Sequence, residues 1–352
     1  MNCKVALEAN HWIEKNKHNI TIAIVTNLEP GPQEKFKNKG LRLSERYFSH
    51  RVISQFITGF RKLGIYTTVF SNESEFISSL ASGLYPKNSS KYNFVYNLTE
   101  SGIGAGGVSL ISAVSRFYGL YCCNSDPHSS TMGRHKYHSY CVLSKNNIDI
   151  PESWWYFGDN KWCSDSHPPN GTVIIAKSSY ESCSIGINDS SVFTYQGDNS
   201  SLDKVINCIE QPVFVQQYIS GMELSVPVIV GKSAKSLEPV LNKISKSNNE
   251  NFLLTERMVF DTKKLYKIKA ENIDNYTIMK MKDAAERAAI ALGFKGICRI
   301  DFKLCIDGRA FVIDVGAVPV LYKGSSVQIA SSWMNISFTD ILSIMLFCSK
   351  TR

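Results

Sequence analysis

Apolar residues along this chain fall into short β-branched runs separated by amphipathic stretches, and that alternation is the first guide to its fold. Residues 20–26 (ITIAIVT) read as a buried strand by length and branching. Pro30–Gly40 is polar, with Lys, Pro and Gly, and reads as a loop. Ser44 caps a predicted helix over Glu45–Leu63, where Phe48, Val52, Phe56 and Phe60 repeat every four residues and Gly64 marks the end. Strands are expected at Tyr66–Phe70 and Asn93–Leu98. A glycine-rich turn (Ser101–Gly107), a helix (Val108–Tyr118) and a strand (Leu120–Cys123) follow. This β-α-β alternation predicts an α/β fold with a parallel sheet covered by helices on both faces.

The pattern shifts near residue 140. A helix over Gly133–Leu143 leads into a linker-like stretch, Asn146–Pro151. Strands are expected at Val173–Lys177, Val213–Ile219 and Glu223–Val230, and Ser178–Ser184 reads as a small, polar, flexible loop. Residues 243–251 (KISKSNNEN) look mobile, and Asp274–Leu292 is an amphipathic helix closed by Gly293. No internal repeat is evident.

Two strands near the C-terminus carry the most chemistry. Ile297–Cys305 and Ala310–Val315 flank Asp307-Gly308, a strong hairpin signal. If Asp307 and Gly308 are the two central turn residues, Cys305 pairs with Ala310 and Asp301 with Asp314. Directly opposed carboxylates repel. A bound divalent cation or a shared proton would hold them together, and a register off by one would separate them. Arg299 shares a strand face with Asp301, which favours the metal: a cation beside a metal pair suits a phosphate or an oxyanion.

Composition changes this picture little. The 352 residues are 43% hydrophobic and 20% charged, ordinary for a globular protein of two or three domains. No run of 18 apolar residues suggests a membrane span, and the first residues lack an apolar signal-peptide core. The ten cysteines show no C-x-x-C spacing, which argues against structural zinc and fits free thiols in a reducing cytoplasm. The net charge of +8 comes without a basic block, so no motif supports nucleic-acid binding. A merely basic surface, a phosphate-rich substrate or an acidic partner each accounts for it.

Other candidate sites are weaker alone. Lys177 opens the small-residue loop through Ser184 and Gly186, a phosphate-cradle pattern that a solvated surface loop also matches. Gln216-Gln217-Tyr218 precedes a turn and Glu223; an extended edge there would offer backbone groups to a purine, and the acid would take ribose hydroxyls, though an ordinary hairpin reads the same. Gly102, Gly104, Gly106 and Gly107 do not match the dinucleotide spacing, and a tight turn or an anion-binding helix N-terminus fits better. Ser44-Glu45 reads by itself as helix capping. The seven histidines show no ligand spacing; His135 and His138 sit on a helix read as exposed and receive no role.

The order of these pieces resembles the D-alanine–D-alanine ligase branch of the ATP-grasp superfamily over nearly the whole chain. Leu43–Ser49 (LSERYFS), Val95–Gly107 (VYNLTESGIGAGG), Tyr121–Lys136, Ile174–Gly186 (IIAKSSYESCSIG), Gln216–Val226 (QQYISGMELSV), Gly293–Leu304 and Phe311–Ser326 each match a family segment in sequence order. The resemblance implies an α+β ATP-grasp fold: a Rossmann-like parallel-sheet domain over 1–140, a central subdomain over 141–222 and a C-terminal subdomain over 223–352. It implies an ATP-dependent carboxylate–amine ligase with ATP and Mg2+ as cofactors, working through an acyl phosphate on amino acids or small peptides. Asp301 and Asp314 would hold the metal. Arg134, Lys177, Ser184, Gln216, Tyr218 and Glu223 would bind the nucleotide. Arg299 would face the oxyanion, Glu45 the substrate ammonium, and Ser325 belongs to the catalytic set; residues 243–262 would fold over the site. It also implies a homodimer in the cytoplasm.

The chain departs from the family pattern at several of these places. The Glu-x-Asn metal signature is Asp314-Val315-Gly316, the hinge acid is Gln216, the phosphate-loop Ser-Ser is Cys183-Ser184, the glycine after the proline is Val320, and the Asp-Lys pair is Gly133-Arg134. These changes point to a product other than D-alanyl-D-alanine, in a specialised pathway. Two alternatives stay open: a nucleotide-binding protein without turnover, and a ligase whose substrate rides on an acidic carrier protein.

Overall fold

Six consecutive buried residues, Ile20–Val25, form strand β1, and its two faces organise the first part of the molecule. The structure, a computed structural model, describes residues 4–28, 48–86, 90–99, 104–182, 184–244, 253–255, 258 and 265–350. β1 pairs in parallel with β2 (Tyr66–Phe70) and β3 (Tyr92–Asn97), and β3 with β4 (Tyr121–Cys122), in the order β2-β1-β3-β4. Ile20, Ile22 and Ile24 share a core with Ile13 of α1 (Lys4–Asn16) and with Phe56 and Phe60 of α2 (His50–Lys62). Ala23 and Val25 face the other way, onto Phe76 of α3 (Glu73–Ala81) and Ile111 of α4 (Leu110–Phe117). A run buried on both faces is what a parallel sheet between two helical layers requires.

Helix α2 starts at His50 rather than Glu45. Ser49 is extended and its hydroxyl accepts the N–H of Val52, while Phe48 bridges to Leu28. Phe48 keeps the four-residue rhythm because it sits just before the cap, where an apolar residue packs back on the first turn. The expected helix over Gly133–Leu143 is two helices, α5 (Pro127–Arg134) and α6 (Lys136–Lys145), broken at an extended His135. The break frees the Lys136 N–H to bond Ser179 O. The helix is not exposed at His135 either: that ring is buried, stacked 3.7 Å from His138 and flanked by Trp155 and Tyr180. Burial, with His138 and Lys136 beside it, pushes the His135 imidazole down to about 4.

A second, antiparallel sheet has the order β6-β5-β9-β7-β8, from β5 (Ser153–Gly158), β6 (Lys161–Trp162), β7 (Val173–Ser178), β8 (Val192–Thr194) and β9 (Val213–Gln217). Helix α7 (Ser200–Ile209) closes its core through Leu202 and Ile209. The third sheet runs β13-β12-β10-β14-β15: β10 (Met222–Val230), β12 (Val240–Ile244), β13 (Leu265–Lys269), β14 (Gly296–Leu304) and β15 (Ala310–Gly316), with β11 (Ala234–Ser236) also on β10. Helix α8 (Asn275–Ala291), capped by Asp274 and ended by Gly293 at φ +67°, lays Met281, Ala285 and Ala288 under Leu224, Val226, Ile300 and Phe302. The alternate residues of β10 and β14 therefore point away from that core, and they line the site.

The chain then returns to its beginning. α9 (Ser326–Trp333) leads to α10 (Phe338–Ser349), which packs on α1 and α2 and contributes Ile341, Leu342 and Met345 to the core beneath β1. Gly59 makes room for it, since a Cβ there would lie 2.5 Å from Leu342 Cδ1.

Candidate active site

The two aspartates do oppose each other, by a route the turn alone does not reveal. The hairpin closes with Cys305 N–H to Arg309 O and Gly308 N–H to Cys305 O, with Gly308 at φ +83°. Leu304, not Cys305, pairs with Ala310, so the expected register fails next to the turn. A shift between Asp301 and Phe302 restores it further out, and Asp301 pairs with Asp314. Ile313 is the extra residue of this bulge. Val312 and Val315 lie in the core, while Ile313 and Asp314 both line the cavity.

Asp301 is only 7% exposed. Its Oδ2 accepts from Arg299 Nε at 3.0 Å and Nη2 at 2.7 Å. Its Oδ1 is buried with no hydrogen-bond partner among the described residues. Burial raises its carboxyl above the usual carboxylate range; Arg299 opposes this and Asp314 adds to it. A buried, unsatisfied carboxylate oxygen beside a second carboxylate fits a divalent cation. The described residues hold no cluster of three ligating side chains, and Gly316 offers none. The pair therefore suits an ion that completes its shell with waters and phosphate oxygens, as Mg2+ does.

The carboxylates stand in a cavity of about 410 Å3 bounded by the second and third sheets. Lys177 Nζ donates to Gln216 Oε1 at 2.8 Å, and among the described residues buried Gln216 Nε2 has no partner. Burial, opposed by Asp314 and Glu223, pushes the Lys177 ammonium down to about 8. Glu223 lies 3.5 Å from Lys303 Nζ and accepts from Asn242 Nδ2 at 3.5 Å. Burial raises its carboxyl, and Lys303 opposes.

The strand before Glu223 is not an edge. β9 lies between β5 and β7, and the N–H groups of Gln217 and Tyr218 are spent on Glu152 O and Val173 O. Only the chain beyond Tyr218 leaves the sheet. Nor is the loop after Lys177 a simple flexible cradle. Ser179 is buried, with its N–H on Pro212 O and its hydroxyl bonded to Trp155 Nε1 and Pro212 O, and the Tyr180 N–H goes to Gln211 Oε1. Lys136 Nζ donates to Glu181 O from below. The tip, Ser182 and Ser184, lines the cavity. Gly104 accepts the Gly107 N–H, which makes that stretch a tight turn; Gly102 lies outside the described residues.

Arg134, Tyr218 and Ser325 also line the cavity. Ser325 is buried and caps α9, accepting the Gln328 N–H. The structure thus gathers Arg134, Lys177, Ser184, Gln216, Tyr218, Glu223, Arg299, Asp301, Asp314 and Ser325 around one space. Ser44, Glu45 and Cys183 lie outside the described residues, as does most of 243–262, of which Leu253 and Leu254 line the cavity. Among the cavity residues to which the sequence gave no role are Lys303, Asn242 and Lys267. The first had a signal, because Arg299, Asp301 and Lys303 alternate on β14. Asn242 and Lys267 had none until the β12–β13 register set them opposite each other.

Residues 148–347, more than half of the chain, match the family model described as D-ala D-ala ligase C-terminus. The chain belongs to that family. It is a divergent ATP-grasp member of the D-alanine–D-alanine ligase family, an ATP-dependent carbon–nitrogen ligase. The D-alanine–D-alanine ligase of Thermotoga maritima is 24% identical over 316 residues, covering 86% of this chain and 92% of that one. The Neisseria gonorrhoeae ligase is 20% identical over 255 residues, covering 71% and 78%. The crystal structure of the Bacillus anthracis D-alanine–D-alanine ligase complexed with ATP shares the fold, with a TM-score of 0.70 at 14% identity, covering 94% of this chain and 97% of that one.

Proposed function

We propose that this ligase joins the carboxylate of one amino acid or small peptide to the amine of another through an acyl phosphate, in a specialised pathway whose product is not D-alanyl-D-alanine. The carrying observation is the Asp301–Asp314 pair with its unsatisfied buried oxygen and Arg299 at its side. Bound Mg2+·ATP would supply the phosphoryl group that activates the carboxylate. Asp301 and Asp314 would hold the cation, and Lys177 and Arg134 would neutralise phosphate charge. Glu223 would take ribose hydroxyls, and Gln216 and Tyr218 would hold the base. Arg299 stabilises the oxyanion of the tetrahedral intermediate, Ser325 orients the substrate at the mouth of α9, and Glu45 holds the ammonium. Leu253 and Leu254 at the cavity wall would help exclude water from the acyl phosphate. The reaction belongs in the cytoplasm, in line with Cys122, Cys123 and Cys298 being buried as thiols.

Gly316 favours one rival, a protein that binds nucleotide without turnover, because the position offers a cation no ligand. Positional isotope exchange in ATP tests the acyl-phosphate step directly. With one carboxylate substrate and no amine, scrambling of the β,γ-bridge oxygen is expected in the wild type and not in Asp301→Ala. Absence of scrambling with every carboxylate, while ATP still binds, moves the non-catalytic reading ahead.

A further inference from the structure

Lys267 is a cation that the site described so far does not use. It stands on β13 opposite Asn242, on the cavity side of the third sheet. Its Nζ donates to Gly324 O at 3.3 Å, and among the described residues no carboxylate lies within ion-pair distance of it. Gly324 belongs to the turn that delivers Ser325, another cavity residue, to the start of α9. Burial, with Arg299 adding to it, lowers the Lys267 ammonium below its usual range, and only Asp301 opposes. Among the described residues this half-buried charge meets one long carbonyl bond, which compensates it incompletely; an anion entering the cavity would complete it.

Arg299 spends two donors on Asp301. With its charge committed there, it cannot also neutralise a second substrate carboxylate. Lys267 can. Val318 and Val320 line the same region and offer no competing acceptor on their side chains. The chain's net charge of +8 draws anions toward it in general.

We propose that Lys267 is a substrate-binding residue that sets specificity: it takes a second carboxylate, so that one of the two joined substrates is acidic, an acidic amino acid or a peptide bearing one. This rests on the ligase reading above and adds the chemical class of a substrate.

Two measurements test it separately from that reading. First, amine acetylation of Lys267 is quantified by peptide mass spectrometry in Mg2+ and a non-hydrolysable ATP analogue, with D- and L-glutamate and aspartate against glutamine and asparagine. Protection by an acid and not by its amide is the expected result. Equal protection by both, no protection by either, or full protection by the nucleotide alone overturns the proposal. Second, the acid-to-amide ratio of kcat/KM is compared in wild type, Lys267→Met and Lys267→Arg. The ratio should fall about 10-fold or more in Lys267→Met, mostly through KM, and recover in Lys267→Arg. A ratio unchanged in Lys267→Met overturns the proposal even if turnover is strong. If no pool gives ADP from the wild type, the ligase reading fails, and the labelling result still decides Lys267.

Discussion

Lys177 carries a pH signature of the site. Its ammonium is pushed down to about 8 by burial from the usual 10.5, so the folded protein releases this proton earlier than the unfolded chain. Deprotonation therefore favours the folded form, and this group's contribution to the stability of the ligand-free protein rises as pH climbs from about 8 toward 10.5. ATP affinity should move the other way, weakening above about pH 8 as the charge is lost. Calorimetric titrations across that range check this, and in Lys177→Arg the alkaline fall should disappear. For Asp301→Asn the expectation is a loss of turnover of about 100-fold or more together with weaker Mg2+-dependent nucleotide binding. Single residues were the most legible scale in the sequence when spacing fixed their direction: Arg299 and Asp301 two apart on a strand had to share a face. Gln216 was harder. Its buried bond to Lys177 depends on β7 and β9 being neighbours, which no local pattern states.

Among the elements, the β14–β15 hairpin shows where sequence reading succeeds and where it stops. Asp307-Gly308 marks a turn, but a two-residue and a three-residue loop share that signature, and they differ by one in register. The bulge at Ile313 compensates, because only that arrangement buries both Val312 and Val315. Helix ends were misplaced for the same kind of reason. Ser44 and Ser49 are equally good caps in isolation, and the bridge between Phe48 and Leu28, a long-range contact, favours the second. The turn before Glu223 gives an element-scale prediction. A Cβ on Gly221 would sit 2.2 Å from Leu304 O, a backbone atom that cannot swing away. Gly221→Ala should therefore cost more than about 2 kcal/mol in urea unfolding and should displace Glu223 from Lys303.

At the scale of the whole molecule, the last helix completes the first core. α10 is apolar through Ile341–Phe347 except at Ser343, and its Leu342 fills the space beside Gly59 under β1. Leu342→Ala should cost about 2–5 kcal/mol, read as a lower urea midpoint. A fragment of residues 1–140 should not unfold cooperatively, since Ile22, Phe56 and Phe60 lose the partners that α10 supplies. The parallel sheet was legible from alternating runs, but this closure was not, because periodicity says that a helix is buried and not against what. The same closure sets α9 and Ser325 against the cavity, so site and fold stand together. The most direct test of the central claim is product formation. Purified protein is given ATP, Mg2+ and pooled D- and L-amino acids and short peptides, with ADP and product masses measured alongside Asp301→Ala. A new amide formed with ADP, both absent in the variant, is the predicted result. ATP binding without ADP or amide in any pool would contradict it.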